Sequence, residues 1–113
     1  MPSLRCGVIG VGYFGKNYVR LRREIPGGRL AATARTAAEA SRVIQDPAID
    51  CVVIATPAVT HAALTLEALR AGKHVLVEKP MALTLADAKA LRTVVQERHR
   101  VLLVGHQYLY HDH

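Results

Sequence analysis

Gly10, Gly12 and Gly15 stand in G-x-G-x-x-G spacing within GVIGVGYFG. What such a turn does chemically depends on side chains that are missing. Gly10 permits a tight turn, Gly12 lets backbone approach a pyrophosphate with no Cβ in the way, and Gly15 lets a helix pack closely on a strand. The free N–H groups of the helix N-terminus then face the anion. A glycine-rich turn without a ligand is the alternative, and the apolar strand before it and the helical stretch after it weigh against that alternative.

A turn of this kind expects an acidic residue about 20 residues on, at the end of the second strand, to bind a ribose 2′-hydroxyl. Counting from Gly15 lands on Arg35, in LAATART. A guanidinium there can grip a 2′-phosphate through two charge-assisted contacts that a carboxylate cannot make. Thr36 adds a hydroxyl donor. The pair predicts a dinucleotide cofactor, NADP or NAD, with NADP ahead; the alternative is that Arg35 is a surface residue at a strand exit.

Three further groups leave strands at the same end. Thr56 and Pro57 follow CVVIA, Glu78, Lys79 and Pro80 follow HVLV, and Gly105 and His106 follow VLLV. Open α/β sheets bind ligands beyond the carboxyl ends of their strands. Taken singly, Thr56 and Pro57 can be a helix-starting turn, Lys79 a solvated charge and His106 a loop residue.

The elements that must position these residues alternate. Strands are expected over Leu4 to Ile9, Leu30 to Ala34, Cys51 to Ala55, His74 to Glu78 and Val101 to Val104. Helices are expected over Phe14 to Glu24, Ala37 to Gln45, Val59 to Ala71 and from the Thr84/Asp87 cap to about Arg98. The β-branched run at Cys51 reads as a strand buried on both faces of a parallel sheet. Alternating strands and helices imply an α/β fold with a mostly parallel, doubly wound sheet in three layers. The segment between Thr36 and Cys51 is too short for the usual helix, strand and crossover helix, since a crossover alone takes roughly 10 to 12 residues. A continuous chain then gives five strands in order 2-1-4-5-6, counted on a six-stranded plan.

With 113 residues, half of them hydrophobic, the chain can bury one modest core. No apolar run approaches the roughly 20 residues of a membrane span, and the first residues carry no secretory pattern, so a cytoplasmic protein without membrane contact is expected. Cys6 and Cys51 form neither a disulfide framework nor a metal pattern and read as buried free thiols. The formal charge of +6 is spread over helices, apart from Arg20, Arg22 and Arg23, and the aromatics are four tyrosines and one phenylalanine, so there is no platform for stacking bases. No nucleic-acid partner is expected. His111 and His113 at the tail make no metal site.

GVIGVGYFG, DPAIDCVVIATPAVTH, ALRAGKHVLVEKPMALT and VLLVGH, in that order, resemble the glucose-fructose oxidoreductase, inositol dehydrogenase and MocA-like family of NAD(P)-dependent oxidoreductases. The GYFGKNYVR wording and the GHQYLYH ending look like the branch acting on nucleotide-linked sugars. The resemblance implies a Rossmann domain over residues 1–105, shortened between 36 and 50, with residues 106–113 beginning a second, substrate-binding domain. It implies hydride transfer between nicotinamide and a sugar or nucleotide-sugar hydroxyl or ketone. By motif, Gly10, Gly12 and Gly15 would hold the pyrophosphate, with Tyr13 and Phe14 beside it. Thr56, Pro57 and His61 would line the riboses, with His106 at the last strand exit. Lys79 would be the catalytic lysine, Glu78 would support it, and a cis peptide to Pro80 would fix its aim. Self-association would run through the second domain, which in the family also supplies an aspartate and a histidine to catalysis. The competing reading is a non-catalytic dinucleotide-binding or sensing module.

Overall fold

Five short apolar runs become five parallel strands in the computed structural model, which describes residues 4–10, 25 and 27–105. They are β1 (Leu4–Ile9), β2 (Gly28–Ala34), β3 (Cys51–Ile54), β4 (His74–Glu78) and β5 (Leu102–Gly105). Their order across the sheet is β2-β1-β3-β4-β5, which is the five-stranded order expected for a continuous chain. One helix, α1 (Ala37–Gln45), carries the chain from β2 past β1 to β3. The expected helix over 14–24, with Gly12, Tyr13, Phe14, Gly15 and His106, lies outside the described residues.

β3 is the central strand, and each of its four residues is buried. That explains its unbroken apolar run, because a central parallel strand has no polar face to present. At the sheet edge β2 alternates in burial, which its alanines and threonine tolerate. One face of the sheet carries Ile9, Val52, Ile54, Val75 and Val77 against α1, α2 (His61–Arg70) and α3 (Leu85–Arg98). Ile44, Leu69 and Leu91 are the largest apolar side chains that the helices bury fully in that layer, and burying each such side chain stabilises by roughly 1.5 to 3 kcal/mol. Gly7 lets α1 come close: a Cβ there would run into the Val43 side chain. The other face carries Cys6, Val8, Cys51, Val53 and Leu76, with Ile25 packed on it.

Two expectations are corrected. Cys6 and Cys51 are not separate free thiols: they occupy paired positions on β1 and β3, their Cα atoms 4.8 Å apart, and their sulfurs are joined in a disulfide. Strand register, a long-range property, brings them within bonding reach. The helix expected from Val59 is divided into a 3-10 turn at Ala58–Thr60 and then α2 from His61. The Pro57 carbonyl accepts both the Thr60 N–H, at 2.9 Å, and the Thr60 hydroxyl, at 2.6 Å, which tightens the first turn to i+3 bonding. Gly72, at φ 86°, takes the left-handed position expected after α2. No helix among the described residues is long and apolar enough to cross a membrane.

Candidate dinucleotide site

The exits of β1, β2 and β3 meet at one edge of the sheet. Gly10 leaves β1 at φ 147°, and a Cβ on it would lie 2.5 Å from the Ala55 carbonyl oxygen. No other residue type fits that approach without backbone movement. The junction is closed by Gly10 N–H donating to Ala34 O at 2.9 Å and by Ala55 N–H donating to Ile9 O at 2.8 Å. Beyond it opens a cleft of about 410 Å³, lined by Gly10, Arg35, Thr36, Thr56 and Pro57 among others. Its size falls within the range of small-molecule sites, roughly 300 to 1,000 Å³. A narrower apolar cavity of about 230 Å³, at Leu4, Cys51 and Val101, lies away from these strand exits.

Arg35 is exposed at the rim. Thr36 caps α1: its hydroxyl oxygen accepts from Glu39 N–H at 3.1 Å. Glu39 reciprocates, its Oε1 accepting from Arg35 N–H at 2.7 Å and from Thr36 N–H at 3.3 Å. Those two backbone donors, Arg35 first, hold the Glu39 carboxyl below its ordinary value of 4.5, and Arg42 and Arg35 add attraction. The residue was open to discovery in the sequence, because Thr36 with Glu39 three positions on has capping-box spacing.

Thr56 is turned into its own loop. Thr60 donates to Pro57 O, so the 2.6 Å contact between the Thr56 and Thr60 hydroxyls has Thr56 as donor. His61 does not line the cleft. Its ring is buried at 2% exposure, with Nε2 2.6 Å from Thr56 O and Nδ1 2.8 Å from Pro80 O. At the neighbouring exit Glu78 is half-buried, Lys79 and Pro80 are exposed, and the peptide between Lys79 and Pro80 is cis. Gly10, Arg35, Thr36, Thr56 and Pro57 thus share one cleft, while Glu78, Lys79 and Pro80 stand at the next strand end, tied to it by His61. Among the described residues no group of three or more His, Cys, Asp or Glu is placed to hold a metal ion.

A rim arginine, a hydroxyl cap and a strand exit that only glycine permits fit a phosphate-bearing dinucleotide. Comparison with known proteins agrees. Residues 4–106 match the model of the Gfo/Idh/MocA oxidoreductase family, described as having an NAD-binding Rossmann fold. UDP-N-acetylglucosamine 3-dehydrogenase of Acidithiobacillus ferrooxidans is 37% identical over 118 positions, covering 94% of this chain and 38% of that protein. The scyllo-inositol 2-dehydrogenase (NAD(+)) of Bacillus subtilis is 30% identical, covering 91% and 35%. Among solved structures, biliverdin reductase from Synechocystis, crystallised with biliverdin and NADP+, superposes with a TM-score of 0.79 at 32% identity, covering 95% of this chain and 39% of that one. The chain therefore spans a little over a third of the length of the relatives it matches.

Proposed function

The chain belongs to the Gfo/Idh/MocA oxidoreductase family with its NAD-binding Rossmann fold, and on that premise we propose that it is the part of a sugar or nucleotide-sugar oxidoreductase that holds the nicotinamide dinucleotide. The observation that carries this reading is the cleft at the exits of β1, β2 and β3, floored by Gly10 and rimmed by Arg35. Gly10, with Gly12 and Gly15, would take the pyrophosphate. Arg35 and Thr36 would meet the adenosine ribose, and Thr56 and Pro57 would form the wall between the two halves of the cofactor. Arg35 favours a 2′-phosphate, hence NADP over NAD.

A bound nicotinamide would supply the carbon that accepts or returns a hydride. Lys79, at the exit of β4, would place a cation where the substrate oxygen gains negative charge as the hydride leaves its carbon. Glu78 would support Lys79, and the His61 ring lies against the Pro80 carbonyl behind it at 2.8 Å. His106, leaving β5, would stand beside the substrate end of the cofactor. The names of the relatives support a sugar or nucleotide sugar as substrate, bound by a following domain that would also carry self-association, in a cytoplasmic enzyme.

Fluorescence titration with NADPH and NADH tests the reading. Saturable binding, tighter for NADPH, is expected, and Arg35→Asp should weaken NADPH far more than NADH. Failure of the wild-type chain to bind either dinucleotide would overturn it. In a chain carrying the substrate domain, Lys79→Ala should abolish turnover while leaving dinucleotide affinity mostly intact.

A further inference from the structure

A second charge besides Arg35 is bonded to the backbone of the residues that line the cleft. Glu39 stands one turn into α1 with its carboxylate drawn back to the end of β2, where Oε1 accepts from the backbone N–H groups of both Arg35 and Thr36. Arg35 and Thr36 line the cleft. These two N–H groups are the backbone donors at the place where a ribose 2′-substituent arrives, and a carboxylate already occupies them.

We propose that Glu39 is a specificity-determining residue of this site, a fixed negative charge at the β2 exit that holds down affinity for the 2′-phosphorylated dinucleotide and spares the unphosphorylated one. The proposal rests on the dinucleotide reading above. A 2′-phosphate gripped by the Arg35 guanidinium comes up against the Glu39 carboxylate and finds the Arg35 and Thr36 amides engaged. It must displace the carboxylate, which uncaps α1, or rely on Arg35 side-chain contacts alone. A ribose 2′-hydroxyl carries no charge and meets neither penalty. Arg35 therefore confers a phosphate preference that Glu39 limits, and the choice between the two cofactors is the balance of these two side chains. The carboxylate stays ionised at neutral pH, because both amides and the neighbouring Arg42 and Arg35 charges favour its charged form.

The charge can be removed without removing the cap, since glutamine serves at this position of a capping box as well as glutamate. In Glu39→Gln the side-chain oxygen still accepts from Arg35 and Thr36, and the unfolding midpoint should stay close to wild type. Dissociation constants for NADPH and NADH are measured for wild type, Glu39→Gln and Glu39→Ala at one ionic strength. Expected is about fivefold tighter NADPH binding in Glu39→Gln, the size of one like-charge interaction near a solvated surface, with NADH changed less than about twofold. An unchanged ratio of the two constants in Glu39→Gln, with both dinucleotides still binding, would overturn the proposal and leave the cofactor reading standing. Parallel weakening of both in Glu39→Ala, with no change of ratio in either variant, would reduce Glu39 to a cap. Binding of neither dinucleotide by wild type would overturn the cofactor reading and this proposal with it.

Discussion

The Nδ1 atom of His61 lies 2.8 Å from the carbonyl oxygen of Pro80, nineteen residues along the chain, while Nε2 of the same ring lies 2.6 Å from Thr56 O. One buried imidazole thus joins the turn that follows β3 to the exit that carries Lys79. At least one of the two carbonyls accepts an imidazole N–H, and His61→Leu removes that donor, at about 1 to 3 kcal/mol for a buried unsatisfied group. For a domain of this size that is a fall in melting temperature of at least roughly 4 °C. His61→Gln restores one donor and should recover part of the loss. Dinucleotide affinity should follow the same order, wild type above glutamine above leucine. Wild-type stability in His61→Leu would show that the bridge carries nothing.

Lys73 performs a similar task below the sheet. It is 5% exposed, and its ammonium donates to Asp46 O at 2.5 Å and to Ile49 O at 2.6 Å, fastening the loop between α1 and β3 to the start of β4. Asp46 O keeps a second donor, Ile49 N–H at 3.1 Å, so the carbonyl most exposed to the loss is that of Ile49. Lys73→Met keeps most of the stem and removes the donors. The expected cost is about 1 to 3 kcal/mol, read as a lower urea midpoint with an unchanged slope. A lowered slope instead would point to a loosened native state, and no change at all would sink the anchoring role.

Gly10 is held to its conformation by the neighbouring strand exit. Alanine would need φ 147° and would put a Cβ 2.5 Å from Ala55 O. Gly10→Ala should therefore cost more than about 1 kcal/mol, the opposite sign from a glycine replacement at an ordinary backbone position. It should also abolish measurable dinucleotide binding, because relieving the clash moves the floor of the cleft. Full affinity in a folded Gly10→Ala protein would contradict the assigned close approach.

How much of this was legible in the sequence depends on the range of the interaction. Local signals read well: α1 has the bounds expected for it, Ala37 to Gln45, the Cys51 run is a fully buried strand, and Gly72 takes its left-handed turn. The division of the helix at His61 was hidden because it depends on Thr60 bonding back to Pro57, which competes with an apolar pattern running on from Val59. Val59 is 74% exposed, so its hydrophobicity was no guide to its face. The Cys6 and Cys51 pairing and the His61 bridge to Pro80 are products of strand register and packing, and nothing local announces them. Glu39 is a different case. Its T-x-x-E spacing with Thr36 is local and readable as a cap, but the closeness of its carboxylate to the cleft follows only from the fold.

The edge of the sheet carries a pH dependence with a definite sign. His74 opens β4, and its Nδ1 accepts the Val101 N–H at 3.0 Å, while Arg100 Nη1 stands 3.3 Å from Nε2. Burial, and then the Arg100 charge, lower its pKa from the ordinary 6.5, with Asp50 opposing. The folded state therefore favours the neutral ring, and on acidification the unfolded chain takes up this proton first. The neutral ring's contribution is fully present above about pH 6.5 and is lost as pH falls through the lowered folded value. Protonation of Nδ1 also removes the acceptor for Val101 and places a cation beside Arg100, which loosens the start of β5. Melting temperatures at pH 7.5 and 5.5 for wild type and His74→Asn check this, since asparagine offers an acceptor oxygen near the Nδ1 position and does not titrate. The expected outcome is a smaller acid loss in His74→Asn than in wild type. Because His74 is largely solvated, the difference should be modest, and equal losses in the two proteins would assign the acid sensitivity to other groups.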